Sequence, residues 1–325
     1  MISPDIFNIT NDLDFKKRAL EIFEYQYLNN EVYQSFCNYL NKDLSNVKTI
    51  VDIPFLPIEF FKSKIIVSSD APVQTTFTSS GTTGNNTSKH HVTDLKLYEK
   101  SYKAGFNHFY NAVDGLCILA LLPSYLERQG SSLIYMVEDL ITKSNHKQSG
   151  FYLDDFITLK DRLEKLDSSG VKTLLIGVSF ALLDFVEQYS FNLKNTIIME
   201  TGGMKGRRKE LVREELHALL KQGFGVSTIH SEYGMTELLS QAYSMGDGIF
   251  DTPPWMQVFI RDTEDPLSYQ SNGKTGGLNI IDLANFNSCS FIATQDLGKR
   301  FNDGSFQIIG RFDNSDIRGC NLMVM

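Results

Sequence analysis

Residues 174–199, LLIGVSFALLDFVEQYSFNLKNTIIM, decide the fold class of this 325-residue chain. Leu174-Leu175-Ile176-Gly177-Val178 and Thr196-Ile197-Ile198-Met199 are short, nearly continuous apolar runs. Strands covered on both faces have this composition, whereas half-exposed strands alternate. Between the two runs, Phe180 to Tyr189 carries its apolar residues at helical spacing.

Outward from this unit the pattern repeats. Gly115 to Leu122 is another apolar run, stopped by Pro123, and helical patterns cover Thr158 to Leu166 and Lys209 to Leu220. Thr93 is placed to cap a helix whose apolar positions Leu95, Tyr98, Tyr102, Phe106 and Phe109 step by threes and fours. Asp14 to Tyr39 has an amphipathic helical pattern, and the prolines of Ile53-Pro54-Phe55-Leu56-Pro57-Ile58 hold the next segment extended. Buried strands alternating with helices predict an α/β fold with a parallel sheet covered on both faces. Near Gly246 the pattern changes: Gly, Pro and Asn become frequent, and short strand-like runs remain at Gln257 to Ile260, Gly277 to Ile281, Ser290 to Thr294 and Phe306 to Ile309. The expected division is an α/β core over 1–245 and a smaller β-rich subdomain over 246–325.

Composition narrows the function. The chain is 42% hydrophobic and 22% charged with a net charge of −8, which provides no footprint for nucleic acid or an anionic membrane. No apolar run reaches the length of a membrane span, and no basic stretch followed by an apolar core opens the chain. The cysteines, at 37, 117, 289 and 320, show no paired spacing, so neither a zinc site nor a disulfide framework is expected and the cytoplasm is the expected compartment.

Chemistry is concentrated in a few short segments. Thr78-Ser79-Ser80-Gly81-Thr82-Thr83-Gly84 is built only of hydroxyl residues and glycines. Its backbone N–H groups can form an anion-binding nest to which the hydroxyls add donors, so a phosphate chain suits it; a flexible linker has the same composition. No Gly-Lys-Ser/Thr follows, which argues against a Walker loop. Glu200-Thr201-Gly202-Gly203-Met204-Lys205-Gly206 follows a buried strand, where parallel sheets bind ligands. Tyr233-Gly234-Met235-Thr236-Glu237, read as following a strand over Val226–Ile229, offers an aromatic plane, a hydroxyl and a carboxylate. Thr294-Gln295-Asp296-Leu297-Gly298 reads as a turn with a carboxylate suited to a ribose diol, and Gly310-Arg311-Phe312-Asp313 adds a cation. Singly, each is also an ordinary turn or solvated surface.

In this order the segments resemble the adenylate-forming superfamily of acyl-CoA synthetases, adenylation domains and luciferases. Within it the chain looks most like the LuxE-type acyl-protein synthetases, through Ile53-Pro54-Phe55-Leu56-Pro57-Ile58-Glu59-Phe60-Phe61-Lys62 and the ending Arg318-Gly319-Cys320-Asn321-Leu322. The resemblance implies the large lobe of such an enzyme. Thr78, Ser79, Ser80, Gly81, Thr82, Thr83 and Gly84 would hold the phosphates of ATP. Gly202 and Gly203 would border the adenine, Tyr233 would stack on it, and Gly234 would belong to the same nucleotide-binding set. Thr236 would contact phosphate and Glu237 would bind Mg²⁺, while Asp296 and Arg311 would hold the ribose. It further implies a fatty or other carboxylic acid substrate, acyl transfer to Cys320, and an acyl-accepting protein of reductase or carrier type. Arg318 lies two residues from Cys320 and would favour its thiolate; a buried structural cysteine is the competing reading.

The pattern departs from the superfamily in two places. Lys89 follows the hydroxyl-rich loop later than the usual lysine and receives no role. The small C-terminal domain that normally brings a catalytic lysine is expected to be absent, the sequence stopping where its hinge would begin. A CoA ligase of the phenylacetate type and an inactive ATP- or AMP-binding partner subunit are the alternatives. Pro123 to Ser132 could border the acyl pocket, and His230, read at a strand end, could position or exchange a proton.

Overall fold

The computed structural model describes residues 5–79, 87–122, 130–202, 208 and 211–312. Helix α1 (Asp12–Asn29) opens on Asn11, whose side chain accepts the Asp14 N–H, with Asp12 and Asp14 in the first turn where the helix dipole favours acids. The helical stretch expected from Asp14 to Tyr39 is split. Asn30 terminates α1 and caps α2 (Glu31–Tyr39) by accepting the Tyr33 N–H at 3.0 Å. A short extended pair, β1 (Leu56–Pro57), precedes the single turn α3 (Phe60–Ser63) and the hairpin strands β2 (Thr75–Thr78) and β3 (Lys89–Val92). Helix α4 (Leu95–Tyr110) starts at Asp94 rather than Thr93, because the Asp94 carboxylate takes the Leu97 N–H. An anionic oxygen is the better acceptor at a helix N-terminus, and the Thr93 hydroxyl is left buried without a partner.

The alternating pattern then follows: β4 (Cys117–Leu121), α5 (Ser132–Lys143), β5 (Gly150–Phe151), α6 (Phe156–Ser168), β6 (Thr173–Val178), α7 (Ser179–Gln188), β7 (Thr196–Thr201), α8 (Arg213–Phe224) and β8 (His230–Tyr233). Every residue of β4 and β6 is buried, as strands covered on both faces require. The strand expected over Val226–Ile229 lies at His230–Tyr233, since pairing with β7 begins only at Met199–His230. The chain continues through β9 (Ala242–Ser244), β10 (Ile249–Asp251), β11 (Met256–Arg261), β12 (Gly276–Asp282), β13 (Phe291–Arg300) and β14 (Phe306–Arg311).

These strands form one sheet in the order β11-β12-β13-β14-β10-β9-β8-β7-β6-β4-β5. From β5 to β8 the pairings are parallel, and from β8 to β11 they are antiparallel. Thr294–Gly298, expected as a turn, lies inside β13. Antiparallel partners on both sides, β12 and β14, hold it extended, and the register with β14 shifts at Leu297–Gly298.

The N-terminal helices pack against this antiparallel part. Gln26 donates to the carbonyls of Asn285 and Phe286, both at 3.0 Å, and accepts the Ser290 N–H at 2.9 Å. Tyr33 stacks on Phe291 with ring centroids 5.9 Å apart. Strand β1 adds to β13 in parallel, Leu56 opposite Ile292 and Pro57 opposite Ala293. Proline is tolerated there because β1 lies off the main strand path and needs no second partner. No helix among the described residues is long and apolar enough to cross a membrane.

Candidate functional site

The C-terminal ends of parallel strands β7 and β8 meet at Glu200-Thr201-Gly202 and Glu232-Tyr233-Gly234, the crevice where such sheets bind ligands. Gly202 has φ +66°, a left-handed conformation that glycine takes without strain. Ser179, opening α7, fixes this strand end by donating to the Gly202 carbonyl at 2.8 Å and to Glu200 at 3.1 Å. Burial pushes the Glu200 carboxyl up, but His217 and the Arg213 guanidinium together hold it below its ordinary range. Glu232 faces the other side of the sheet, where Thr201 donates to it at 2.5 Å. Burial raises that carboxyl to about 7. A Cβ added at Gly234 would stand 2.6 Å from Glu232 Oε1, so the Gly234 position admits no side chain as packed.

Tyr233, Asp296 and Arg311, drawn from three separate motifs, form one hydrogen-bonded group. The Tyr233 hydroxyl donates to Asp296 Oδ2 at 2.8 Å, and Arg311 Nε donates to Oδ1 at 2.8 Å. Asp296 on β13 stands directly opposite Arg311 on β14. The carboxylate is 4% exposed, and Arg311 faces solvent. The Tyr233 ring is 9% exposed and packs edge-on against Phe250 and Phe306, with centroids 6.0 and 5.9 Å away. Each carboxylate oxygen keeps a lone pair beyond the bond it already accepts, so Asp296 retains capacity for a diol.

The hairpin β2–β3 carries the hydroxyl-rich loop. Ser79 N–H donates to the Ser88 carbonyl at 3.1 Å and Ser88 N–H to the Ser79 hydroxyl at 2.9 Å, closing the loop at its base. Thr78 N–H donates to the Gly130 carbonyl at 2.8 Å. Ser80, Gly81, Thr82, Thr83 and Gly84 lie outside the described residues, as do Gly203, Lys205, Arg318, Cys320 and most of the Pro123–Ser132 segment.

From the closed base, β3 runs against the turn at Thr236–Glu237. The Ser88 side chain lies close enough to the Glu237 carboxyl to favour its charged form. His90 Nδ1 lies 2.8 Å from the Thr236 carbonyl, and Asn285 Nδ2 donates to the Glu237 carbonyl at 2.7 Å. Asp282, at the end of β12, accepts the N–H groups of Leu239 and Ser240, both at 2.9 Å. Glu237 is 5% exposed, and burial raises its carboxyl despite Ser88 and the charges of Arg311 and Lys62. A carboxylate removed from water in this way is stabilised by a bound cation. No group of three or more His, Cys, Asp or Glu that could hold a metal occurs among the described residues. Mg²⁺ does not need one, because it is commonly held by one or two carboxylates together with substrate phosphates and water.

Ser88, His90, Asp282 and Asn285 are the supporting residues that sequence reasoning missed. Their partners are far along the chain, 146 residues away for His90, and no local spacing signals such pairing. His230 opens β8 instead of ending a strand, and its Nδ1 lies 3.1 Å from the Tyr110 hydroxyl. It therefore stands away from the ligand-binding end. Cys37, Cys117 and Cys289 are buried, and burial pushes their thiols up, to about 12 for Cys37 and about 11 for Cys117.

A family model described as acyl-protein synthetase, LuxE, matches residues 7–105. The long-chain-fatty-acid–luciferin-component ligase of Vibrio harveyi is 25% identical over 323 residues, covering 92% of this chain and 84% of its own. The chain is similar to the LuxE-type acyl-protein synthetases. The Photorhabdus luminescens ligase of the same description is 34% identical over 70 residues, 21% of this chain and 60% of that one. The residues matched by the LuxE family model include β1, which pairs with Ile292 and Ala293 on the strand that bears Asp296, and Lys62, whose charge reaches Glu237.

Among solved structures, 2-hydroxyisobutyryl-CoA ligase with 2-HIB-AMP and CoA has a TM-score of 0.67 at 11% identity, covering 94% of this chain and 70% of that one. The ATP-bound RpMatB-BxBclM chimera B1 has a TM-score of 0.56 at 15% identity, covering 75% of this chain and 49% of that one. The chain has the fold of the large lobe of adenylate-forming enzymes, and its match spans about half the length of the MatB-type chain.

Proposed function

We propose that the chain is an ATP-dependent acyl-activating ligase that adenylates a carboxylic acid, a fatty acid in the first instance, and transfers the acyl group to a protein cysteine. One observation carries this reading: two polar constellations, Thr236–Glu237 and Tyr233–Asp296–Arg311, stand on one strand end beside the base of a hydroxyl-rich loop. A substrate carboxylate oxygen attacks the α-phosphorus of ATP, forming the acyl–O–P bond while the bond to the β-phosphate breaks and pyrophosphate leaves. A cysteine thiolate then attacks the acyl carbonyl, a thioester forms, AMP departs, and the thiol proton passes to solvent.

Attack of an anion on a polyanion requires fixed positive potential and alignment. The loop from Thr78 to Gly84 and the Thr236 hydroxyl would hold phosphate oxygens, Asp296 would accept from the ribose, and Arg311 would add its charge. Glu237 would hold Mg²⁺, which neutralises charge on the phosphates when bound. The three described cysteines are poor nucleophiles because burial raises their thiols. Cys320 is the assigned acyl acceptor, with a reductase- or carrier-type protein downstream.

The test is intact mass after incubation with ATP, Mg²⁺ and a panel of fatty and aromatic acids, followed by hydroxylamine. A labile acyl adduct that disappears in Cys320→Ser supports the reading and identifies the acid. Turnover that requires CoA and leaves no adduct would reassign the chain as a CoA ligase. Nucleotide binding without ATP–pyrophosphate exchange would make it a partner subunit.

A further inference from the structure

We infer that His90 is a positioning residue for the nucleotide: as the neutral Nδ1–H tautomer it pins the Thr236 carbonyl to the hairpin bearing the hydroxyl-rich loop. The inference rests on the adenylation reading for its consequence, but its geometry stands apart from it. His90 is 1% exposed, and its ring lies edge-on to Phe61 at 5.6 Å. Its Nδ1 is 2.8 Å from the Thr236 carbonyl oxygen. A carbonyl only accepts, so Nδ1 must carry the proton. Nε2 is buried with no hydrogen-bond partner. In the neutral ring that nitrogen is a bare acceptor, whereas the opposite tautomer would bury an unpaired N–H and set a lone pair against a carbonyl.

A buried imidazole with one idle nitrogen is a poor filler for a site beside Phe61, where an apolar side chain would pack without an unpaired polar atom. What the histidine adds is one N–H at a fixed height above β3. Just before β3, two residues earlier, Ser88 is close enough to the Glu237 carboxyl to favour its charged form. Ser88 and His90 thus face the side chain of Glu237 and the backbone of Thr236 from the start of one hairpin arm. That arm leaves the closed base of the loop through the Ser79–Ser88 pair. The closed base of the hairpin and the Thr236–Glu237 turn, 146 residues apart in sequence at this contact, are thereby held together. Loss of the pin would let the Thr236 hydroxyl drift while leaving Ser88, Asn285 and Asp282 to hold the fold.

The experiment compares His90→Asn, whose side-chain N–H₂ can take the Nδ1 place, with His90→Leu, which has no donor. In ATP–pyrophosphate exchange the Leu variant is expected to raise KM for ATP at least ~10-fold with the KM for the acid unchanged. The Asn variant should stay within ~3-fold of the parent. Equal loss in both variants, or none in Leu, overturns the inference. Should Leu fail to fold, the ¹⁵N spectrum of the parent decides: a protonated Nδ1 and bare Nε2 support the pin, and a protonated Nε2 refutes it. If the parent shows no exchange with any acid, the adenylation reading has failed, and the Leu-to-Asn ratio of ATP dissociation constants judges His90 alone.

Discussion

Replacing Glu232 with Gln should alter how stability depends on pH, by an amount the structure fixes. The free carboxyl ionises near 4.5 and the folded one near 7, because burial penalises the charged form and Glu200 repels it, while the Thr201 hydroxyl only partly compensates. Between these values the folded protein holds a proton that the unfolded chain has released, so stability falls as pH rises. For two titrations at those positions the destabilisation is about 1 kcal/mol at pH 5 and about 3 kcal/mol at pH 8. Gln keeps an oxygen for the Thr201 hydroxyl and cannot ionise. The parent should therefore lose about 2–3 kcal/mol relative to Glu232→Gln between pH 5 and pH 8. Urea unfolding at pH 5, 6.5 and 8 measures this from midpoints at a common slope. Other buried acids, including Asp282, which burial raises to about 6, titrate in both proteins and largely cancel in the difference. Curves that stay parallel within about 0.5 kcal/mol would show that Glu232 ionises freely and that water reaches it.

Tyr233→Phe removes one of the two side-chain donors to a carboxylate that is 4% exposed, a charge-assisted bond worth about 1.5–3 kcal/mol. Urea unfolding should show a loss in that range, and a change below ~0.5 kcal/mol would mean that Asp296 replaces the hydroxyl with solvent. The buried thiols of Cys37, Cys117 and Cys289 should react with a disulfide reagent at pH 8 only as the protein unfolds, so Cys320→Ser should abolish the fast phase. A fast phase that persists would place a reactive thiol in the core and remove the ground for choosing Cys320.

The parallel half of the fold was legible because its signal is local: β4, β6 and β7 are apolar runs and the helices between them keep their period. Where reading went astray, a tertiary partner overrode the local pattern. Thr294–Gly298 has the composition of a turn, yet β12 and β14 on either side keep it in a strand. Asn30 interrupts one helical period because its side chain caps the next helix, a choice reinforced by bonds to Ser68 and Ser288 far along the chain. The motif residues were visible as short, chemically dense strings. Their supports were not, since one histidine in a β-rich string or one aspartate after Ile280-Ile281 is indistinguishable from ordinary structure until the fold brings Thr236 or Ser240 to it.

The placement of those supports explains why the turn at Thr236–Glu237 can carry a buried acid. A carboxyl raised by burial works against the folded state, and it persists only where the surroundings over-determine its position. Here the adjoining backbone is held from three directions: His90 from the hairpin, Asn285 from the turn after β12, and Asp282 from the end of β12. Removing any one leaves two, so single substitutions among these anchors should shift the turn before they unfold it. Their effects should be non-additive, because all three hold one short segment. The same arrangement gives a bound cation its leverage. A cation at Glu237 would relieve the electrostatic cost of the buried carboxyl without moving the backbone, so binding would tighten a geometry already set. The strand ends and the anchors thus answer separate needs, position and tolerance of charge, and the site lies where the parallel and antiparallel parts of the sheet supply both.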